Sequence, residues 1–227
     1  MGKESMRAFI LVTFLALLGG CTTQLPPSPK PPTAALPSPV PVASVAQPAA
    51  IPDAPVDVWL VPLDGFPHPM VTSLARRLSS ELHINVRAST HAGTNQQMYG
   101  ARASGQMISE QVLRELSPVI SRLFDTTPKT TFIVLTSVDL NGADGTTRFV
   151  FSTHFTGRKS VVSAARLSDA FFGRAERPTI TEERLYKIVK KSIGLQYYEL
   201  PRSTKMESVM YSPIMSLEDL DAVGTAF

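Results

Sequence analysis

Three lysines and a serine crowd the stretch Tyr186–Ile193, YKIVKKSI, and Ser208 and Ser212 follow closely. A serine hydroxyl beside a lysine whose charge is suppressed by burial makes a nucleophile and its base, so Ser/Lys hydrolysis is one chemistry this stretch could carry. No strand-to-helix nucleophile motif surrounds Ser192, Ser208 or Ser212. Metal chemistry has thinner support. The four histidines, His68, His83, His91 and His154, show no pair at ligand spacing, and all precede the lysine-rich stretch. Cys21 is the only cysteine, so no disulfide can form within the chain.

Cys21 has a different chemistry available. Lys3 and Arg7 form a basic start, Ala8–Leu18 is an apolar run of 11 residues, and Leu18-Gly19-Gly20-Cys21 follows directly. The run is shorter than the roughly 20 residues of a membrane-spanning helix and reads as a signal peptide over residues 1–21. Leu-Gly-Gly-Cys resembles a bacterial lipobox, which implies a diacylglycerol on the Cys21 thiol and membrane lipid as the first partner. Acyl chains contribute about 0.8 kcal/mol per buried methylene, enough together for durable anchoring. Thr22 follows the cysteine where an aspartate would resemble an inner-membrane retention signal, so the expected location is the outer membrane, facing the periplasm. Residues 22–56 are a Pro/Ala-rich tether: eleven of the 19 prolines fall between Thr22 and Pro55, too little apolar surface to fold. At about 3.1 Å per residue it reaches at most roughly 100 Å.

Residues 57–227 have the pattern of one folded domain. The net charge of +3 is too small and too dispersed to favour nucleic acid as a partner. Val56–Leu63 is a β-rich run ended by a turn, and Val71, Leu74, Leu78 and Leu82 recur at helical spacing over His68–Leu82. INVRA predicts a second strand, and His91–Gly105 a loop. Ser109 is placed to cap a helix through Val112, Leu113 and Leu116, which Ser117-Pro118 kinks or restarts. Thr131–Leu140, RFVFSTHFT and Ser160–Leu167 predict three further strands. Thr179 and Glu182 predict a capping box for a helix over Thr181–Ile193 that Gly194 ends, and Ser216 with Asp219 predicts the cap of a last helix to about Val223. This order gives an α/β (α+β) fold with a mixed sheet and packed helices.

Six collinear segments then resemble the archaemetzincins, a branch of the metzincin zinc peptidases: VWLVPLDGFP, SGQMISEQVLREL, FIVLTSVDLN, FVFSTHFTGRKSVVSAARL, SIGLQYY and ESVMYSPIMSLEDLD. The metzincin motif is H-E-x-x-H-x-x-G-x-x-H followed by a Met-turn. With Gly194 and Leu195 setting the register, the resemblance puts Lys187 and Lys191 at the two helix-histidine positions. It puts Ile188 at the catalytic glutamate, Tyr197 at the third histidine and Met210 at the Met-turn. A lysine ammonium offers a metal no lone pair, and Ile188 accepts no proton. The family's second, cysteine-rich zinc site has no counterpart, because Cys21 stands alone. Neither a metal nor another cofactor is expected, and no catalytic residues are assigned.

The resemblance therefore implies a catalytically inactive domain that binds an envelope protein or peptide in the former substrate cleft, along the strands FVFSTHFT and SVVSAARL. Two alternatives stand beside it: an active hydrolase, of residual zinc-dependent or Ser/Lys type, and a purely structural lipoprotein. The binding reading expects an open apolar groove beside Lys191 and Tyr197. It also expects Lys187 or Lys191 to pair with Glu199 or Glu207, on a polar face opposite Leu185, Val189 and Ile193.

Overall fold

The computed structural model describes residues 54–100, 105–142 and 148–227. The signal segment, Cys21 and nearly all of the tether lie outside the described residues. Strand β1 (Val58–Pro62) is buried along its whole length, which explains its unbroken apolar run: Val58 and Leu60 face one layer, Trp59 and Val61 the other. The same alternation in β4 (Thr131–Thr136) and β7 (Lys159–Ser163) sends Ile133, Leu135 and Val162 to the first layer and Val134 and Val161 to the second. With β2 (Val86–Ala88) and β6 (Ser152–Phe155) these strands form a five-stranded sheet in the order β2-β1-β4-β7-β6. All neighbours are parallel except β6, which returns antiparallel to β7 as an edge.

Helix α1 (His68–Leu82) starts at Pro67 and buries Val71, Leu74, Ala75 and Leu78 on the first layer, as its spacing predicts. That layer is completed by α3 (Pro178–Gln196) and α4 (Leu217–Ala222). On the other face lies α2 (Ser109–Ile120), through Val112, Leu116 and Ile120. Burying leucines such as Leu60 and Leu135 stabilises the sandwich by about 1.5–3 kcal/mol each. Two short strands, β3 (Met107–Ile108) and β5 (Leu140–Asn141), form a separate parallel pair. No described helix is long and apolar enough to cross a membrane.

Several expectations are corrected. Pro118 sits inside α2 without restarting it, and Ser109 begins the helix rather than capping it. Gln96–Met98 is a short 3-10 turn within the predicted loop, and Ala165–Leu167 is another where strand was expected to continue. The Thr179/Glu182 capping box is absent: α3 starts at Pro178, whose missing N–H suits a first-turn position. The box at Ser216 and Asp219 is present. Gly194 does not stop α3, which runs on to Gln196.

Candidate functional site: a lysine-latched helix

Helix α3 is buried on every side between Arg184 and Gly194, so the polar face expected at its lysines, opposite Leu185, Val189 and Ile193, is covered. Lys187, Lys190 and Lys191 are only 8%, 4% and 8% exposed. What covers them is the C-terminal segment. Lys187 Nζ donates to the carbonyls of Leu220 and Asp221, both at 3.0 Å, at the end of α4. There an ammonium satisfies the helix's last acceptors and meets its negative pole. Lys190 Nζ donates to the Thr225 carbonyl at 2.6 Å and to Glu81 of α1. Lys191 Nζ donates to the Tyr211 carbonyl. A buried ammonium is costly unless hydrogen-bonded, and these carbonyls supply the bonds. Burial still pushes the Lys187 ammonium down, and burial together with Arg202 lowers Lys191 to about 8.

The expected ion pair is corrected. Neither Lys187 nor Lys191 pairs with Glu199 or Glu207, because backbone carbonyls hold both; Glu199 pairs with Arg158 instead. Gly194 explains part of the packing. A Cβ there would stand 2.5 Å from Met210 Sδ and 2.9 Å from Phe227 Cε1, so the bare helix backbone is what lets Met210 close against it. Met210 is 2% exposed.

The residue set does not fit zinc. Both lysine nitrogens are cationic donors already used on carbonyls. The Tyr197 hydroxyl donates to Asp57 Oδ1 at 2.7 Å, and burial together with that carboxylate raises it to about 12. It stays protonated and turned away. Ile188, at the glutamate position, is 3% exposed and packs in the first core layer. Among the described residues no three His, Cys, Asp or Glu side chains group to hold an ion. His68 and His91, distant in sequence, do meet with ring centroids 5.6 Å apart, and His91 Nε2 bonds the Phe66 carbonyl at 2.7 Å.

The Ser/Lys arrangement is not assembled either. Fully buried Ser192 lies 3.0 Å from His154 Nε2 and donates to the Ile188 carbonyl at 3.0 Å, while Ser208 accepts from the Met210 N–H at 3.1 Å. His154, on the edge strand, was considered only as a metal ligand, and its contact with Ser192 is what sequence reasoning missed. Its one available signal is alternation: Thr153 and Phe155 point to the second layer, so His154 must point toward α3. Burial, Arg202 and Lys191 hold its imidazole down to about 4, so it is neutral at ordinary pH.

A hollow is present away from Lys191 and Tyr197, beside which the groove was expected. A cavity of about 550 Å³ opens at the carboxyl ends of β1, β4 and β7, lined by Phe66, Met70, Ser137, Asp139, Ala164 and Phe171. That is the other end of α3, beside Thr181.

No protein-family model and no curated protein sequence matches the chain. Among solved structures, it is similar to a zinc-dependent peptidase from Methanocorpusculum labreanum (strain Z), with TM-score 0.62 and 20% identity over 74% of this chain and 93% of that one. It is similar to the archaemetzincin of Methanopyrus kandleri, with TM-score 0.58 and 24% identity over 76% and 88% of the two chains. The archaemetzincin of Archaeoglobus fulgidus, solved with malonate, aligns with TM-score 0.58 and 22% identity over 75% and 94%. The fold is archaemetzincin-like.

Proposed function

We propose that this is a lipid-anchored protein of the bacterial envelope, held through Cys21 at the periplasmic face of the outer membrane, whose archaemetzincin-like domain binds an extended peptide or protein segment and does not cleave it. The observation that carries this reading is the latch on α3. The residues at the zinc-ligand positions donate hydrogen bonds: Lys187 and Lys191 hold two separate stretches of the C-terminal segment, and the neighbouring Lys190 holds a third.

The binding half of the reading is supported by the sheet edge. The Ser163 N–H bonds the Phe151 carbonyl, so Thr153 and Phe155 are the residues whose backbone groups face β7. Ser152 and His154 therefore turn their N–H and C=O groups outward, and no described strand covers them. An extended segment can add there by strand pairing. The partner surface is this edge, because the space in front of Lys187 and Lys191 is filled by the chain itself.

Incubation of the purified mature chain with zinc and a pool of quenched fluorescent peptides is expected to give no turnover above blank, and chelator is expected to change nothing. Zinc-dependent turnover would defeat the inactive reading. Cys21→Ser is expected to move the protein from the membrane fraction to the soluble periplasm. Retention of that variant on the membrane would defeat the anchoring reading.

A further inference from the structure

The order of the sheet reverses between β1 and β4. From β1 the chain passes through α1 on one face to β2, then through α2 on the other face to β4, on the opposite side of β1. The cavity of about 550 Å³ lies off the carboxyl ends of these two strands, which is where open α/β sheets carry their ligands. Its walls are apolar, built from Phe66, Pro67, Met70, Ala164, Ala165 and Phe171. Asp139 adds no net charge, because both its oxygens accept from Arg166 at 2.8 Å and Gln106 donates to it at 2.7 Å. Arg166 in turn lies over the Phe171 ring, 4.7 Å from its centroid, so this pair is spent within the wall.

One charge at the cavity is unbalanced. Ser168 and Thr181 both line it, and both hydroxyls donate to the carboxylate of Glu176, Thr181 at 2.8 Å to one oxygen and Ser168 to the other. The Ala170 N–H adds a third bond at 3.1 Å. Three neutral donors thus fix this exposed carboxylate at the rim, and it forms no ion pair among the described residues. The basic residues nearest in sequence are taken: Arg177 pairs with Asp169 and Arg174 with Glu218. The same hydrogen bonds, that from Ser168 first, hold the Glu176 carboxyl below its ordinary value, so it is ionised at neutral pH. An apolar cavity with one fixed anion at its rim is complementary to a cation on an aliphatic stem. We propose that the cavity binds a lysine or arginine side chain of a partner protein, with its stem against Phe66, Met70 and Phe171 and its charged head hydrogen-bonded to Glu176. Phe171 is 44% exposed and Glu176 lies on the surface, so the occupant stays open to solvent on one side, as a side chain attached to a larger body requires. The site is separate from β6, and the inference does not rest on strand-edge binding.

The test uses the full mature chain in detergent micelles and a random hexapeptide library, N-acetylated and C-amidated so that only side chains carry charge. The expected result is selection of lysine or arginine at one position. Norleucine in place of that residue keeps the stem without the charge and should weaken binding at least tenfold. Glu176→Gln should weaken the basic peptide as much while leaving the norleucine peptide unchanged, and Met70→Trp, which fills the cavity, should abolish binding of both. Selection of neutral apolar residues would overturn the cation assignment. A basic peptide indifferent to Glu176→Gln would overturn its placement in this cavity. Selection of no residue, or competition by free cadaverine as strong as by the peptide, would overturn binding of a partner's side chain.

Discussion

Gly224→Ala is expected to cost about 3 kcal/mol of folding stability, the upper part of the range for overpacking, because nothing at this position can give way. A Cβ there would overlap the Glu207 carbonyl, with the carbonyl carbon only 2.6 Å off, and both are backbone. The Gly224 N–H also bonds the Met206 carbonyl at 2.8 Å, so two stretches of the C-terminal segment are fixed against each other at the contact point. Moving them apart displaces Thr225 from Lys190 and the end of α4 from Lys187. The check is urea denaturation, with Gly93→Ala as a control whose Cβ would meet only Asp64 Oδ2 at 3.8 Å. A Gly224→Ala midpoint equal to that of the control would show that the segment is not held as described.

The second large effect is at the opposite end of α3. Arg184, 2% exposed, donates to both carboxylate oxygens of Asp221 at 2.7 Å, to the Leu167 carbonyl at 2.8 Å and to Asp169 Oδ1 at 3.2 Å. Asp169 is itself buried, with Arg177 as its other partner at 2.6 Å. Arg184→Met is expected to cost about 3–5 kcal/mol, because it strands buried charge rather than removing a pair. Arg184→Lys should not restore it, since one ammonium cannot fork to Asp221 and reach Asp169 as well. Acid titration separates this from a packing loss. The hydrogen bond from Arg177, reinforced by Arg184, holds the Asp169 carboxyl down to about 2. Between its ordinary value and about 2 the unfolded chain binds the proton first, so the stabilisation is complete above that window and lost as pH falls through it. The variant should show a shallower acid loss than the parent. An identical acid profile would contradict the ion-pair account.

The frame of the sandwich was legible because its signals are local. His68–Leu82 reads as a helix from four apolar positions, and the buried strands read from their β-branched runs. The resemblance in six collinear segments gives the fold and the register of Lys187, Ile188, Lys191, Tyr197 and Met210. What the lysines do was not legible, because their partners are carbonyls of residues 20 to 35 positions downstream, and a backbone carbonyl carries no sequence signature. Gly194 misled for a related reason. A glycine at the end of an apolar run reads as a stop, but here the missing Cβ makes room for Met210, so the helix continues. Lys187 and Lys191 on a helical wheel look like a wet face, and only the tertiary cover makes that face dry. His154 and Ser192 were each visible as residues, but their contact joins an edge strand to a helix 38 positions away.

The central claim is that lysine-to-carbonyl hydrogen bonds hold the C-terminal segment where a metal site would otherwise stand. It is tested most directly by incubating the untagged mature chain with excess zinc, removing free metal and measuring bound zinc by elemental analysis. The account predicts no stoichiometric zinc and the same urea midpoint with and without chelator. One tightly held zinc per chain, with a midpoint that falls on chelation, would contradict it.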